Sequence, residues 1–239
     1  MNKNKKNGSK ISVLSLTIGI SCIGAILLSG IGYRLQWWHF STGFTITEWA
    51  IYAAALGFIL SLFGLYKTRH SDTLRGFTMN TLAIILILPI LIFAYYWENS
   101  LTTYPPINDI TTDTNDPPSF WDTPNPVDYP GGKTAKLQHS AYPDLHSLEL
   151  KKTTDQVFEQ ALSIVKNNNW EVITADKEEG QIEAMASSLL YGFKDDIVIR
   201  IQPNNGGSKV DIRSHSRIGK IDRGANAKRI RRFIKSLKS

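Results

Sequence analysis

Three stretches of the chain, Ile11 to Tyr33, Trp49 to Tyr66 and Phe77 to Trp97, run 18 to 23 residues without a charge. About 20 helical residues at a rise of ~1.5 Å cross a hydrocarbon layer of about 30 Å. Three membrane spans are therefore expected. The pattern then loses its apolar runs. From Leu101 to Gly132 it is rich in Thr, Asn, Asp and Pro, with Pro105, Pro106, Pro117, Pro118, Pro124, Pro126 and Pro130. Such a stretch sustains little helix or ladder bonding. Residues 98–140 are read as an irregular lead-in that wraps the following domain through Ile107, Ile110, Phe120, Trp121 and Tyr129, the competing reading being a mobile tether.

Residues 141–239 carry shorter periods. A strand is expected from Ser147 to Leu150. Thr153 and Gln156 have the spacing of a capping box, and Val157, Phe158, Ala161, Leu162 and Val165 make one helical stripe that Asn167 to Asn169 end. Trp170 to Thr174 and Gln181 to Ser187 read as strands, the second alternating Ile182, Ala184 and Ala186 with Glu183 and Met185. Asp195 to Gln202 and Lys209 to Arg217 flank a turn. Their faces fix the register, because a slip by one residue would set apolar side chains against polar ones. Ile201 should lie opposite Val210 and Ile199 opposite Ile212, which places Arg200 opposite Asp211 and Asp196 opposite His215. A last helix, Ala225 to Leu237, carries Ile230, Phe233, Ile234 and Leu237 on one stripe. The fold class is thus a three-span α-helical membrane anchor plus an α+β outer domain, an antiparallel sheet of about four to five strands covered on one face by two helices.

Charge orients this plan. Residues up to Trp97 carry eight Lys/Arg against Glu48 and Asp72, whereas the remainder carries nineteen of each sign. The net charge of +6 belongs to the membrane part, which removes the composition argument for a nucleic-acid partner. Seven of the eight cations lie in the N-terminal tail and the Lys67 to Gly76 loop, against Arg34 on the other side. The cation-rich side is cytoplasmic by the positive-inside rule. Three spans then carry the outer domain across, to the extracytoplasmic side of what would be a bacterial inner membrane. Trp37, Trp38, Trp49, Tyr95, Tyr96 and Trp97 cluster at the opposite ends, as interfacial aromatics do.

Within the spans, Pro89 should kink the third helix. Ala53, Gly57 and Ser61 form a small-residue face, read as packing among the three helices ahead of a homo-oligomer contact. No ionisable residue lies deep in a span, which argues for an anchor and against an ion pathway. Cys22 is the single cysteine. It excludes an internal disulfide, and the residues before it, Gly19, Ile20 and Ser21, fit a lipoprotein signal poorly.

The outer part resembles the domain of unknown function family 1499. The resemblance is carried by Asn108 to Asp113 with Pro117 and Pro118, Ala141 to Asp144, Gly192 and Phe193, Asp195 to Arg200, and Asp211 to Arg217 running on to Gly219, Asp222, Gly224, Asn226, Ala227, Arg229 and Ile230. It covers about Pro105 to the C-terminus. It implies an envelope domain and brings no catalytic residues.

Four sets of residues bear on function. Ser214, Ser216, Arg217, Arg223, Asn226 and Arg229 surround two glycines ahead of a helix, where backbone N–H groups and arginines could bind a phosphate or carboxylate. The competing reading is a structural turn in which Asp222 caps the helix and Arg217 pairs with an acid. Asp195, Asp196 and His215 could serve as an acidic site, although a paired sheet surface explains them better. His139, Asp144 and His146 lack a recognised metal-ligand spacing. The last helix is strongly basic, a solvated face or a surface for anionic lipid. The expected partners are the lipid bilayer and envelope proteins or an anionic ligand, with no cofactor and no metal. A binding module leads; a hydrolase of envelope material is the alternative.

Overall fold

The computed structural model describes residues 7–69, 74–124 and 126–239. Lys3, Lys5, Lys6 and Asp72, which entered the charge count, lie outside the described residues. The chain divides into two compact units. The first holds the described residues up to Asn99 together with Leu189–Gly192; the second holds Ser100–Ser188 and Phe193–Ser239.

The first unit is built on three helices, α1 (Lys10–Arg34), α2 (Phe40–Arg69) and α3 (Phe77–Thr103), each long and apolar enough to cross a membrane. α2 begins nine residues before the expected span. Phe40 to Glu48 is too polar to count as apolar sequence, yet its hydroxyls serve the helix: Thr45 and Thr47 donate to the carbonyls of Ser41 and Gly43, at 3.1 Å each. α3 continues through Pro89 as one helix. The short strands β1 (Asn7–Gly8) and β2 (Leu74–Arg75) pair in parallel, which brings the start of α1 and the α2–α3 connection to one end.

Small residues set the helix spacing. A Cβ on Gly57 would stand 2.7 Å from Ile18 and 3.1 Å from Ile87, and one on Gly64 would meet the Asn80 amide at 2.5 Å. Gly57 and Ser61 are buried inside the unit, so the small-residue face serves packing within the chain. Asn80 donates to Ser12 Oγ at 2.8 Å, tying α3 to α1. Cys22 lies buried among Ala50, Ala54, Ala83 and Ile87, and α1 runs twelve residues beyond it. At the other end Tyr191 sets its hydroxyl between Ser29 at 3.0 Å and Thr47 at 3.1 Å.

The second unit is a six-stranded antiparallel sheet with three further helices. The strands are β3 (Asp109–Thr111), β4 (Leu148–Leu150), β5 (Glu171–Asp176), β6 (Gln181–Ser187), β7 (Lys194–Asn204) and β8 (Gly207–Ser216), ordered β3-β8-β7-β6-β5 with β4 also on β8. The β7–β8 register is the one read from the faces: Ile201 opposite Val210, Ile199 opposite Ile212, Arg200 opposite Asp211 and Asp196 opposite His215. Asn205 and Gly206, both at positive φ, close the hairpin in two residues. Both strands therefore run further toward the turn than expected. Pro203 is tolerated because the pairing with β6 ends at Gln181 opposite Arg200, leaving the far end of β7 without a ladder neighbour on that side.

Helix α5 (Thr154–Asn167) starts on the Thr153–Gln156 capping box. It covers one sheet face with α6 (Ala225–Lys238), and the core between them holds Val157, Phe158, Val165, Ile182, Ile197, Ile199, Ile212, Ile230, Phe233 and Leu237. The opposite face is also covered, by lead-in segments around Pro118, Trp121 to Thr123 and Val127. The helix α4 (Gly132–Ala141), inside the stretch expected to be irregular, holds the edge of β3 through Gln138, which bonds the Thr111 backbone at 3.0 and 2.7 Å. β3 is the sixth strand. Three residues are too few to show a period of two, and it forms because β8 offers an unpaired edge. Ile107, Ile110 and Phe120 are buried as the wrapping reading requires, whereas Trp121 is 51% exposed.

Candidate functional site

Alternation along the strands decides which polar side chains can meet. Asp195 and Asp196 are neighbours in β7 and so point to opposite faces. Asp195, Ser214 and Ser216 stand on the face under α6, while Asp196, Arg213 and His215 stand on the face under the lead-in. The structure thus brings Asp196 and His215 together in register and sets Asp195 apart from them.

Under α6 lies a closed polar cluster. Arg229 donates to Asp195 at 2.5 Å, to Ser214 Oγ at 2.8 Å and to the side-chain oxygen of Asn226. Asn226 in turn accepts from Ser214 at 2.8 Å and donates to Ser216 at 3.0 Å and to the Asn108 carbonyl at 2.9 Å. Asn226 is fully buried, and its amide links β8, α6 and the lead-in. Four of the six residues expected at a ligand site, Ser214, Ser216, Asn226 and Arg229, therefore do converge, and each has a partner from the chain itself.

The other two stand elsewhere. Arg217 makes a bidentate pair with Asp196, at 2.8 and 2.6 Å, and Arg223 donates to Ser100 at 2.6 Å. The helix N-terminus is capped from within, since Asp222 accepts from the N–H groups of Gly224 at 2.8 Å and Asn226 at 2.9 Å. Burial raises the Asp222 pKa against the opposing effect of those two hydrogen bonds. Gly224 is left-handed at φ 77°, and a Cβ there would come within 2.5 Å of the Tyr104 ring.

Across the sheet lies a second network, of which the register alone places the Arg200–Asp211 pair. Arg213 is 1% exposed. Its guanidinium meets both oxygens of Asp109, at 2.9 and 2.8 Å, and donates to the carbonyls of Pro118 at 3.1 Å and Val127 at 2.9 Å. The Phe120 and Tyr129 rings lie 4.7 and 5.6 Å from it. Burial, and then the Asp109 charge, push the Tyr129 hydroxyl up to about 12. Glu183, also fully buried, accepts backbone N–H groups of Trp121, Asp122 and Thr123 at 2.5, 3.1 and 2.9 Å. Asp211 accepts from Thr112, Ser147 and Arg200 at 3.0, 2.5 and 3.2 Å. Three charges of the sheet thus hold a segment that has little regular structure of its own. The signal was present in the alternation: Glu183, Asp211 and Arg213 share one face, a face without enough apolar area to be covered otherwise.

The remaining polar feature is an open groove on the outer side of α6, about 280 Å³ in volume and lined by Asp144, Leu145, Arg231, Ile234, Lys235 and Lys238. Arg231 holds Asp144 through two bonds of 2.6 Å, and this hydrogen bonding keeps the Asp144 carboxyl below its usual range. Among the described residues no acid lies within 4 Å of Lys235, Lys238 or Arg232. The metal candidates are dispersed. His139 bonds Thr114 at 2.8 Å, Asp144 serves Arg231, and among the described residues no three His, Cys, Asp or Glu side chains converge.

The stretches carrying the family resemblance meet in these networks: Asp109 with Arg213, Thr112 with Asp211 and Arg200, Asp196 with Arg217, and Asn108 with Asn226. No curated protein matches the chain. The model of one family, described as a protein of unknown function (DUF1499), matches residues 109–237, more than half of the 239 residues. The chain belongs to that family, and carries ahead of its family domain three helices fit to span a membrane.

Proposed function

We propose that the protein is a membrane-anchored component of the bacterial cell envelope whose family domain binds an anionic ligand on the extracytoplasmic side of the inner membrane. The orientation rests on the distribution of cations. Lys10, Lys67 and Arg69 stand at the helix ends that the β1–β2 pairing brings together, and Arg34 at the other end of α1. The observation that carries the binding reading is the groove on α6. There Lys235 and Lys238 have no acidic partner among the described residues and flank an apolar floor of Leu145 and Ile234. The arginines of the Ser214 to Arg229 segment are engaged with acids and hydroxyls of the chain, so an anion would have to displace those bonds. The groove asks for no such exchange at Lys235 and Lys238.

The test is the melting of the full chain in a zwitterionic detergent with and without inorganic pyrophosphate. Pyrophosphate should raise the melting temperature of the wild type and leave Lys235→Gln/Lys238→Gln unmoved. A shift that survives in this variant and disappears in Arg217→Gln/Arg229→Gln would overturn the assignment and make the turn the site.

A further inference from the structure

Residues 231, 234, 235 and 238 recur at three- and four-residue intervals, so they share one face of α6. The adjoining stripe, with Ala227, Ile230, Phe233 and Leu237, is buried in the core, and Ile234 at the boundary packs partly against it. The outward face is therefore fixed in direction by packing and cannot rotate away from solvent. It sets the cations of Arg231, Lys235 and Lys238 around the apolar side chains of Leu145 and Ile234. Cations over an apolar floor match a molecule carrying phosphate at one end and hydrocarbon at the other. Asp144 is the one acid in the groove, and it takes up one of the three cations.

We infer that the groove is a site for an anionic phospholipid of the bilayer in which the protein is anchored. The inference rests on the anion-binding reading and adds the ligand class. Charge complementarity is the first argument. The second is covalent: Ser100 follows Asn99 directly in the chain, so the domain is tethered to the bilayer that α3 enters and meets its lipid at high effective concentration. The acyl chain would lie on Leu145 and Ile234, and the phosphate would take Lys235 and Lys238 and compete with Asp144 for Arg231.

The competition makes the proposal testable in both directions. The full chain, with benzoylphenylalanine in place of the exposed His146 beside the groove's Asp144 and Leu145, is reconstituted in nanodiscs of phosphatidylcholine alone or with a minority of phosphatidylglycerol, and lipid adducts are counted after photolysis. Phosphatidylglycerol adducts should form in preference to their share of the bilayer. Lys235→Gln/Lys238→Gln should weaken the preference about tenfold or more, and Asp144→Asn, by freeing Arg231, should strengthen it. Lys228→Gln/Arg232→Gln lies outside the groove and should change it little. Adducts in proportion to bilayer composition would overturn the lipid assignment. So would an equal loss in the Lys228→Gln/Arg232→Gln variant, because the preference would then belong to helix charge in general. If pyrophosphate still shifts the melting of the wild type while no lipid preference appears, anion binding stands and the lipid assignment alone falls.

Discussion

Arg213 shows what a single buried charge does in this domain. Four of its five N–H donors meet a carboxylate and two backbone carbonyls, so the desolvation of the guanidinium is largely offset by bonds. Removing one partner leaves the other charge buried and alone. Arg213→Ala or Asp109→Ala should therefore cost about 3–5 kcal/mol of domain stability, measured by denaturant unfolding. A loss below ~1 kcal/mol would mean that Arg213 is not the hub described. The acids respond to pH in opposite directions. Burial opposes ionisation of Asp113, but Lys209 and the N–H groups of Asp116 and Asn115 outweigh it, and the pKa ends below 3.8. Its stabilisation is present above 3.8 and lost as pH falls through the folded value. Asp222, raised by burial, contributes in its protonated form and loses that contribution as pH rises through its folded value. Asp113→Asn should flatten the acid limb of a stability–pH profile, whereas Asp222→Asn should flatten the segment above 3.8. An unchanged profile in both variants would contradict these assignments. At this scale the sequence was legible where a residue's role is local, as in the capping by Thr153 and Gln156. It was opaque where the role depends on distant partners, as for Glu183, whose alternation with Ile182 and Ala184 names its face but not the backbone that covers it.

Among the elements, those with a period were readable and those without one were not. Ile197, Ile199 and Ile201 leave one acceptable register against Val210 and Ile212, and that register is found. β3 and α4 lie in a proline-rich stretch, where neither three residues nor a half-polar helix stands out from its surroundings. What orders that stretch is the polar sheet face, so the lead-in should be the first part to loosen when that face is damaged. Glu183→Ala removes the acceptor of three N–H groups, each costing about 1–3 kcal/mol when left buried without a partner. Limited proteolysis of this variant should cut first between residues 113 and 130. Cleavage confined to other segments would show that Glu183 does not secure the lead-in. In the first unit the same contrast holds. Apolar length disclosed three helices, but the start of α2 was hidden because Phe40 to Glu48 is helical without being apolar.

At the scale of the whole molecule, two different solvents shape one chain. The helices bury glycine and serine against one another and leave large apolar side chains outward, as with Ile59, Phe63, Ile85 and Phe93. The family domain does the reverse, enclosing isoleucine and phenylalanine on one sheet face and ion pairs on the other. In the proposed function these become an anchor and an anion-binding domain outside the cytoplasm. Lys67→Cys at the end of α2 and Ser236→Cys on α6 are both exposed positions, and Cys22 is buried. Each variant, expressed in a bacterial host and treated as intact spheroplasts with a membrane-impermeant maleimide, reports its side of the membrane. Labelling is expected at position 236, with protection at position 67 until the membrane is lysed; labelling at 67 with protection at 236 would place the groove in the cytoplasm and contradict the proposed function.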